Sequence, residues 1–385
     1  MYDWANSSFA TVAIASVLPV YFGLVNQVRG GTEGSSTALW GMANAASMLG
    51  VALIAVLVGP MADRMARKKR ALAAFAGVGM IATAIIGVVP IHLWWLIAVF
   101  YAVSNMGFAG SNIFYDALLP SVASREKLDR VSSGGYALGY LGGGVLLAIS
   151  VALILLLPPQ NITLGNGQTA VRPLFAMQIS FILVGVWWAL FSIPLFKNVP
   201  EPPAHSVNDG QSALLSIKQT ILDALKHREL VKFLLAFWLF SDGVGTIIKM
   251  AAIYGTEIFG AGGKDVSKHL IGTLLLVQFI GVPFTLLWSK AAKRIGAKYA
   301  VLLCLAIYAG ICVLGYFMSE LWHFYMLGIA VSSVQGGTQA LSRSLYARLV
   351  PKGQESEFFG FYNISGKFAG IVGPLLFPIM VGLGA

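Results

Sequence analysis

Apolar residues run along this chain in blocks of about twenty or more, broken by short polar or Gly- and Pro-containing stretches. At 1.5 Å rise per residue such blocks are long enough to cross a hydrocarbon core of about 30 Å, so the pattern predicts spanning helices. Eleven are read: Tyr2 to Val25, Ala38 to Met61, Ala71 to Val89, Trp94 to Leu118, Val131 to Leu157, Leu174 to Phe196, Leu230 to Ile258, His269 to Lys290, Tyr299 to Met318, Leu321 to Tyr346 and Phe358 to Leu383. Between the sixth and seventh lies a polar linker, 197–229, with "NVPEPPAHSVNDGQS" followed by "ALLSIKQTILDALKHREL", whose apolar residues recur at helical spacing.

Composition agrees with the pattern. Charged residues are 11% and hydrophobic ones 57%, against about a quarter charged in soluble domains, so most of the surface does not face water. The net charge of +10 falls in short clusters between spans, which is a topology signal and not the continuous basic face that nucleic acid requires. Arg64, Arg67, Lys68, Lys69 and Arg70 follow span two, Arg125, Lys127 and Arg130 follow span four, and Lys290, Lys293, Arg294 and Lys298 follow span eight. Those loops and the linker are therefore expected in the cytoplasm, with the amino terminus. Trp94, Trp95, Trp187, Trp188 and Trp322 lie toward span ends, as an interfacial belt requires. Cys304 and Cys312 are about 12 Å apart by helical rise, too far for a disulfide. The five histidines lack metal-ligand spacing, and no cofactor motif stands out. "GGYALGYLGGG" follows no strand, so its small residues are read as helix-packing positions and not as a phosphate cradle.

An internal repeat organises the chain. "YDALLPSVASREKLDRVSSGGYALGYLGGG" matches "YARLVPKGQESEFFGFYNISGKFAGIVGP" at an offset of 231, pairing Tyr115 with Tyr346, Pro120 with Pro351, Glu126 with Glu357, Gly135 with Gly366, Gly139 with Gly370 and Gly142 with Gly373. Such a parallel repeat implies two pseudo-symmetric halves of six helices related about the membrane normal. The halves are read as 1–196 and 230–385, the second with five spans, so a twelfth is expected beyond Ala385.

The loop after span two, "GPMADRMARK", resembles the pattern of the major facilitator superfamily, with Gly59, Ala62, Asp63, Arg64, Arg67 and Lys68 matching. A degenerate second copy, "SKAAKRIGAK", has Lys293 where the acid would stand. The resemblance implies an all-α polytopic major facilitator fold. Physically, an acid there can cap span three and hold its basic neighbours, so Asp63, Arg64 and Arg67 are candidates for a gate. Within the superfamily, "YDWANSSFATV" and "QALSRSLYARLVPKGQESEFFGFYNISGKFAGIVGP" are similar to the branch named for the autophagy-related vacuolar amino-acid effluxer, with its bacterial-type members. In that branch residues precede the Tyr-Asp-Trp, so the chain is expected to start inside a longer amino terminus. The resemblance implies a multi-pass protein of the bacterial inner membrane or the fungal vacuolar membrane.

Charge within a span is costly and marks functional candidates. Asp3, Asp116, Asp242, Lys249, Arg343 and Lys367 are such residues. Spacing adds polar stripes: Gln335, Gln339, Arg343 and Tyr346 on span ten, and Tyr101, Asn105, Asn112 and Tyr115 on span four, with Asn6 on span one. The alternative for the amides is interhelical bonding that holds the bundle together.

These readings give a secondary transporter of a small solute, without enzymatic chemistry, cofactor, metal or nucleic-acid partner, working as one chain in the bilayer. The resemblance implies amino acids, whose ammonium would need an acid, Asp242 or Asp3, and whose carboxylate a base, Lys249 or Arg343. The same acids are candidates for proton coupling. A lipid-like amphiphile or other metabolite is the alternative cargo, and a non-transporting sensor the alternative function.

Overall fold

A computed structural model describes residues 1–31, 39–51, 53, 67–202, 227–259, 267–363, 365 and 366, with only the backbone at 249–259, 267, 268 and 270. The described helices are α1 (Tyr2–Val28), α2 (residues 39–51), α3 (Lys68–Ile86), α4 (Trp94–Ala117), α5 (Leu128–Leu156), α6 (Leu174–Asn198), α7 (Arg228–Phe259), α8 (Ser267–Ile295), α9 (Ala297–Tyr316), α10 (Leu321–Leu349) and α11 (residues 355–363). Among the described residues eight helices, α1 and α3 to α9, are long and apolar enough to cross a membrane. The Gln, Ser and Arg residues of α10 keep it out of that group, although its 29 residues give it the length.

Two features depart from uniform helix and loop. Residues Phe9–Val17 of α1 form a π-helix, where the Ser16 hydroxyl donates to the carbonyls of Thr11 at 2.7 Å and Val12 at 3.1 Å. The stretch after α5 is a hairpin, β1 (Gln160–Thr163) and β2 (Thr169–Arg172), antiparallel with Gln160 opposite Arg172 and Thr163 opposite Thr169. Its tip rests on the end of α1, where the Gly165 amide donates to the Gln27 carbonyl at 3.2 Å.

The chain forms two compact units. The first comprises Met1–Ile54, Lys69–Tyr115 and Leu138–Glu201; the second comprises Ala55–Lys68, Asp116–Ala137 and Pro202–Ala385. In the first, α1 packs on α6, and Phe9 contacts Phe108 and Trp188 at ring separations of 5.1 and 5.8 Å. Trp188 is therefore a fully buried core residue and departs from the expected interfacial belt, whereas Trp95 and Trp322 are exposed as the belt requires. Glycines of α5 let it meet α1 closely: a Cβ at Gly142 would lie 2.3 Å from the Trp4 carbonyl oxygen, and one at Gly139 would lie 2.5 Å from the Ser7 hydroxyl. In the second unit α10 packs on α7, α8 and α9. A separate core there gathers Ala117 at the end of α4, Leu119 just after it, Leu128 of α5, Leu230 and Phe237 of α7, Tyr346 of α10, and Phe358, Phe359 and Tyr362 of α11.

Candidate functional site

The first unit holds polar side chains where α4 faces α1 and α2. Asp3, buried in the first turn of α1, accepts from the Tyr115 hydroxyl at 2.5 Å, and the Tyr115 ring lies 4.7 Å from that of Tyr2. One turn on, the Asn6 amide donates to Asn112 at 2.6 Å. Farther along α4 the Asn105 amide donates to the Ser47 hydroxyl at 2.8 Å, and the Tyr101 hydroxyl donates to Asn44 at 2.5 Å. Of the polar residues spaced along span four, Asn112 and Tyr115 thus face α1, whereas Tyr101 and Asn105 face α2. Asn6, Asn105 and Asn112 are engaged between helices, the arrangement that stabilises a bundle.

The second unit concentrates charge. The Arg343 guanidinium of α10 donates to the Asp116 carboxylate at 3.1 Å, and both side chains are nearly enclosed, at 4% and 10% exposure. It also donates to the Ser132 hydroxyl at 2.9 Å and the Ser132 carbonyl at 3.0 Å, and lies 4.4 Å from the centre of the Tyr136 ring. Asn363 of α11 donates to the other Asp116 oxygen at 3.3 Å. Guanidinium and carboxylate are therefore held from several sides, as a buried pair requires. A turn away, Asp129 accepts from the Ser344 hydroxyl at 2.5 Å and pairs with Arg348 at 2.8 Å.

A third contact joins the end of the superfamily-like loop to the first residue of α11. Lys68 pairs with Glu355 at 2.7 Å, with side-chain exposures of 6% and 15%. Burial pushes the Glu355 carboxyl up, but the Lys68 hydrogen bond and charge, with the Gly353 amide and its own, hold it below the usual carboxylate range. Next to Lys68, the Lys69 amide at the start of α3 donates to the Glu201 carboxylate at 3.0 Å, while the Lys69 ammonium donates to the Phe196 carbonyl at 2.9 Å.

Asp242 is half-buried on α7, its carbonyl accepting from the Thr246 hydroxyl at 2.7 Å. Gln335 and Gln339 are half-buried on α10, and their side chains make no hydrogen bond among the described residues. Arg67 is exposed just before α3. Asp63, Arg64 and Lys367 lie outside the described residues, and of Lys249 only the backbone is described.

The family described as "Vacuole effluxer Atg22 like" matches residues 27–382. The chain belongs to that family. A Bacillus subtilis relative described as an uncharacterized MFS-type transporter, YxiO, is 37% identical over 386 residues, covering 100% of this chain and 87% of its own. Autophagy-related protein 22-2 of Emericella nidulans is 27% identical over 72% of this chain; the chain spans about half of that relative's length, 51%. The solved structure of the proton:xylose symporter XylE superposes with a TM-score of 0.70 at 14% identity, covering 98% of this chain and 87% of that one. That likeness speaks for the fold alone, the major facilitator fold. This Atg22-like chain is thus a multi-pass integral membrane transporter of the major facilitator superfamily, the fold expected from its sequence.

Sequence reasoning picked out both Asp116 and Arg343 without pairing them. It missed Ser132, Tyr136, Asn363, Asp129, Arg348 and Glu355. One signal for two of these was present: the offset of 231 sets Ser132 against Asn363, and both bond to the Asp116–Arg343 pair.

Proposed function

We propose that this Atg22-like protein is a secondary active transporter that works by alternating access, with the Asp116–Arg343 and Lys68–Glu355 contacts as the latch of its cytoplasmic side. The observation that carries the reading is the buried bond between α4 and α10, at helix ends that the charge bias assigns to the cytoplasm. Asp116 belongs to the first repeat and Arg343 to the second, so rocking the halves 1–196 and 230–385 apart on that side has to break it. Asp63, Arg64 and Arg67 complete the same gate from the loop ahead of Lys68.

The cargo in this reading is a small solute, in the first instance an amino acid, in keeping with the vacuole effluxer name of the family. Asp242, Lys249, Gln335, Gln339 and Lys367 are its proposed contacts, and Asp3 the proton-binding acid. Buried beside Tyr115 and touched by α5 at Gly139, Asp3 is placed to sense movement of three helices at once. One chain is the proposed functional unit.

Flux in proteoliposomes tests this. Purified protein should accumulate radiolabelled amino acids when a pH gradient is imposed, and Asp3→Asn should abolish accumulation while preserving exchange. Wild-type vesicles that move no member of an amino-acid panel, with or without the gradient, would refute the cargo. Accumulation by Asp3→Asn equal to wild type would refute the coupling.

A further inference from the structure

The second copy of the loop pattern carries four cations, Lys290, Lys293, Arg294 and Lys298, across the end of α8 and the start of α9. All four are exposed, and among the described residues none forms an ion pair. The first copy differs, since its Lys68 is seated on Glu355. The repeat accounts for the difference: at the offset of 231 the place of Glu355 is taken by Ser124, and in the alignment of the two loops, offset by 230, Lys293 stands where the first copy has Asp63. Neither of the first copy's two acid positions is acidic in the second.

What remains is a concentrated positive charge. Lys290, Lys293 and Arg294 stand at positions i, i+3 and i+4, neighbours on one face of α8, where like charges repel. Gly296, at φ 87°, then turns the chain so that α9 begins at once with Lys298 close behind. The negative end of α8 favours the cations of its last turn, but Lys298 sits at the positive end of α9, where a cation is disfavoured. Glu229, near enough for its charge to reach Lys298, is already paired with Lys232 at 2.8 Å.

Apolar surface borders the charge. Ile295 at the end of α8 and Tyr299, Leu302 and Leu303 on α9 are exposed, at 46%, 64%, 50% and 49%, on two helices apolar enough to face lipid. A partner that fits both features carries an anionic head and hydrocarbon tails. We propose that Lys290, Lys293, Arg294 and Lys298 form a binding site for an anionic phospholipid of the cytoplasmic leaflet, its phosphate held by the cations and its acyl chains laid on Ile295, Tyr299, Leu302 and Leu303. Clustered cations directly at the end of a spanning helix attract anionic lipid in this way. The site is independent of the proposed cargo.

The test measures lipid retained by the purified chain. After reconstitution with equal phosphatidylcholine and phosphatidylglycerol and extraction into mild detergent, native mass spectrometry should find phosphatidylglycerol enriched by about tenfold. The enrichment should fall as salt is raised. K293Q/R294Q/K298Q should lose it, whereas the charge-matched K127Q/R130Q/K197Q, also exposed cations on expected cytoplasmic loops, should keep it. Equal retention of both lipids by wild type, or equal loss in both triple variants, overturns the site. Inorganic phosphate competing at the same concentration as phosphatidylglycerol would also overturn it, by showing a soluble-anion site without a role for the tails. The wild-type salt titration decides independently should a variant fail to fold.

Discussion

Removing the cation from the Asp116–Arg343 pair should unlock one side of the protein. In Arg343→Gln the Asp116 carboxylate keeps its burial but loses a charged partner at 3.1 Å, in a site where the two side chains are 4% and 10% exposed. Breaking such a pair from one side costs about 3–5 kcal/mol. If the bond belongs to one conformation only, that cost appears as a shift in population of about a hundredfold to a few thousandfold, enough to invert a gap of a few kcal/mol. If it belongs to every conformation, the same cost appears as lost global stability. Labelling separates the cases. Ser133, fully buried next to Ser132, becomes the reporter as Ser133→Cys in a Cys304→Ala, Cys312→Ser background. In inside-out vesicles maleimide should modify it at least about tenfold faster in Arg343→Gln than in the parent. The double variant Asp116→Asn, Arg343→Gln should recover most of the thermal stability, because no buried charge is left, yet stay fast in labelling because the latch is gone. A fall in thermal stability of Arg343→Gln with unchanged labelling would refute the latch and make the pair a permanent strut.

Two further outcomes follow from the same geometry. Because Lys68 and the Gly353 amide hold the Glu355 carboxyl low, its contribution is complete at neutral pH and is lost only as pH falls through that lowered value; labelling at Ser133→Cys, taken relative to a fully exposed cysteine because only the thiolate reacts, should stay flat through the neutral and mildly acid range and rise only below the ordinary carboxylate range, with Glu355→Gln open throughout, and a rise already between about pH 7 and 6 would contradict it. Gly142→Ala places a methyl 2.3 Å from the Trp4 carbonyl, which cannot swing away as a side-chain end can, so thermal unfolding in detergent should show a loss of about 1–3 kcal/mol; an unchanged melting temperature would mean that α1 and α5 are not tightly apposed there.

The helices were legible because a bilayer demands length and apolarity, and both are properties of composition in a window. Even α10, too polar to stand out by hydropathy alone, was readable from Leu321 because its polar residues repeat at helical spacing. The π-helix Phe9–Val17 was not legible, since "FATVAIASV" is apolar nearly throughout and carries no period to betray a change of winding. The hairpin had a signal, Asn166-Gly167 at its turn with φ 82° at the glycine, but a few residues between two spans read first as a connection. For the site, burial cost singled out Asp116 and Arg343 one at a time. Their pairing depends on how α4 meets α10, which no local pattern encodes. The Trp188 reading failed for the same reason: position along a helix does not say which way the ring points.

The repeat supplies an internal control on what these charges are for. The repeat sets equivalent positions of the two halves against each other, so a residue the fold itself requires should be needed in both. At the offset of 231, Arg343 stands opposite Asn112, which bonds to Asn6, while Asp116 stands opposite Ala347 and Glu355 opposite Ser124. At each of these positions one copy thus manages with an amide, a methyl or a hydroxyl where the other carries an ion. Since a buried ion pair is often no more stabilising than well-packed neutral groups of similar volume, packing alone gives no reason to keep one. A contact that must open to water does, because its two charges regain their hydration when it parts, which an apolar contact cannot do. In the proposed mechanism the single-copy ions are the contacts that separate and re-form, and the amide pairs are the ones that hold helices together.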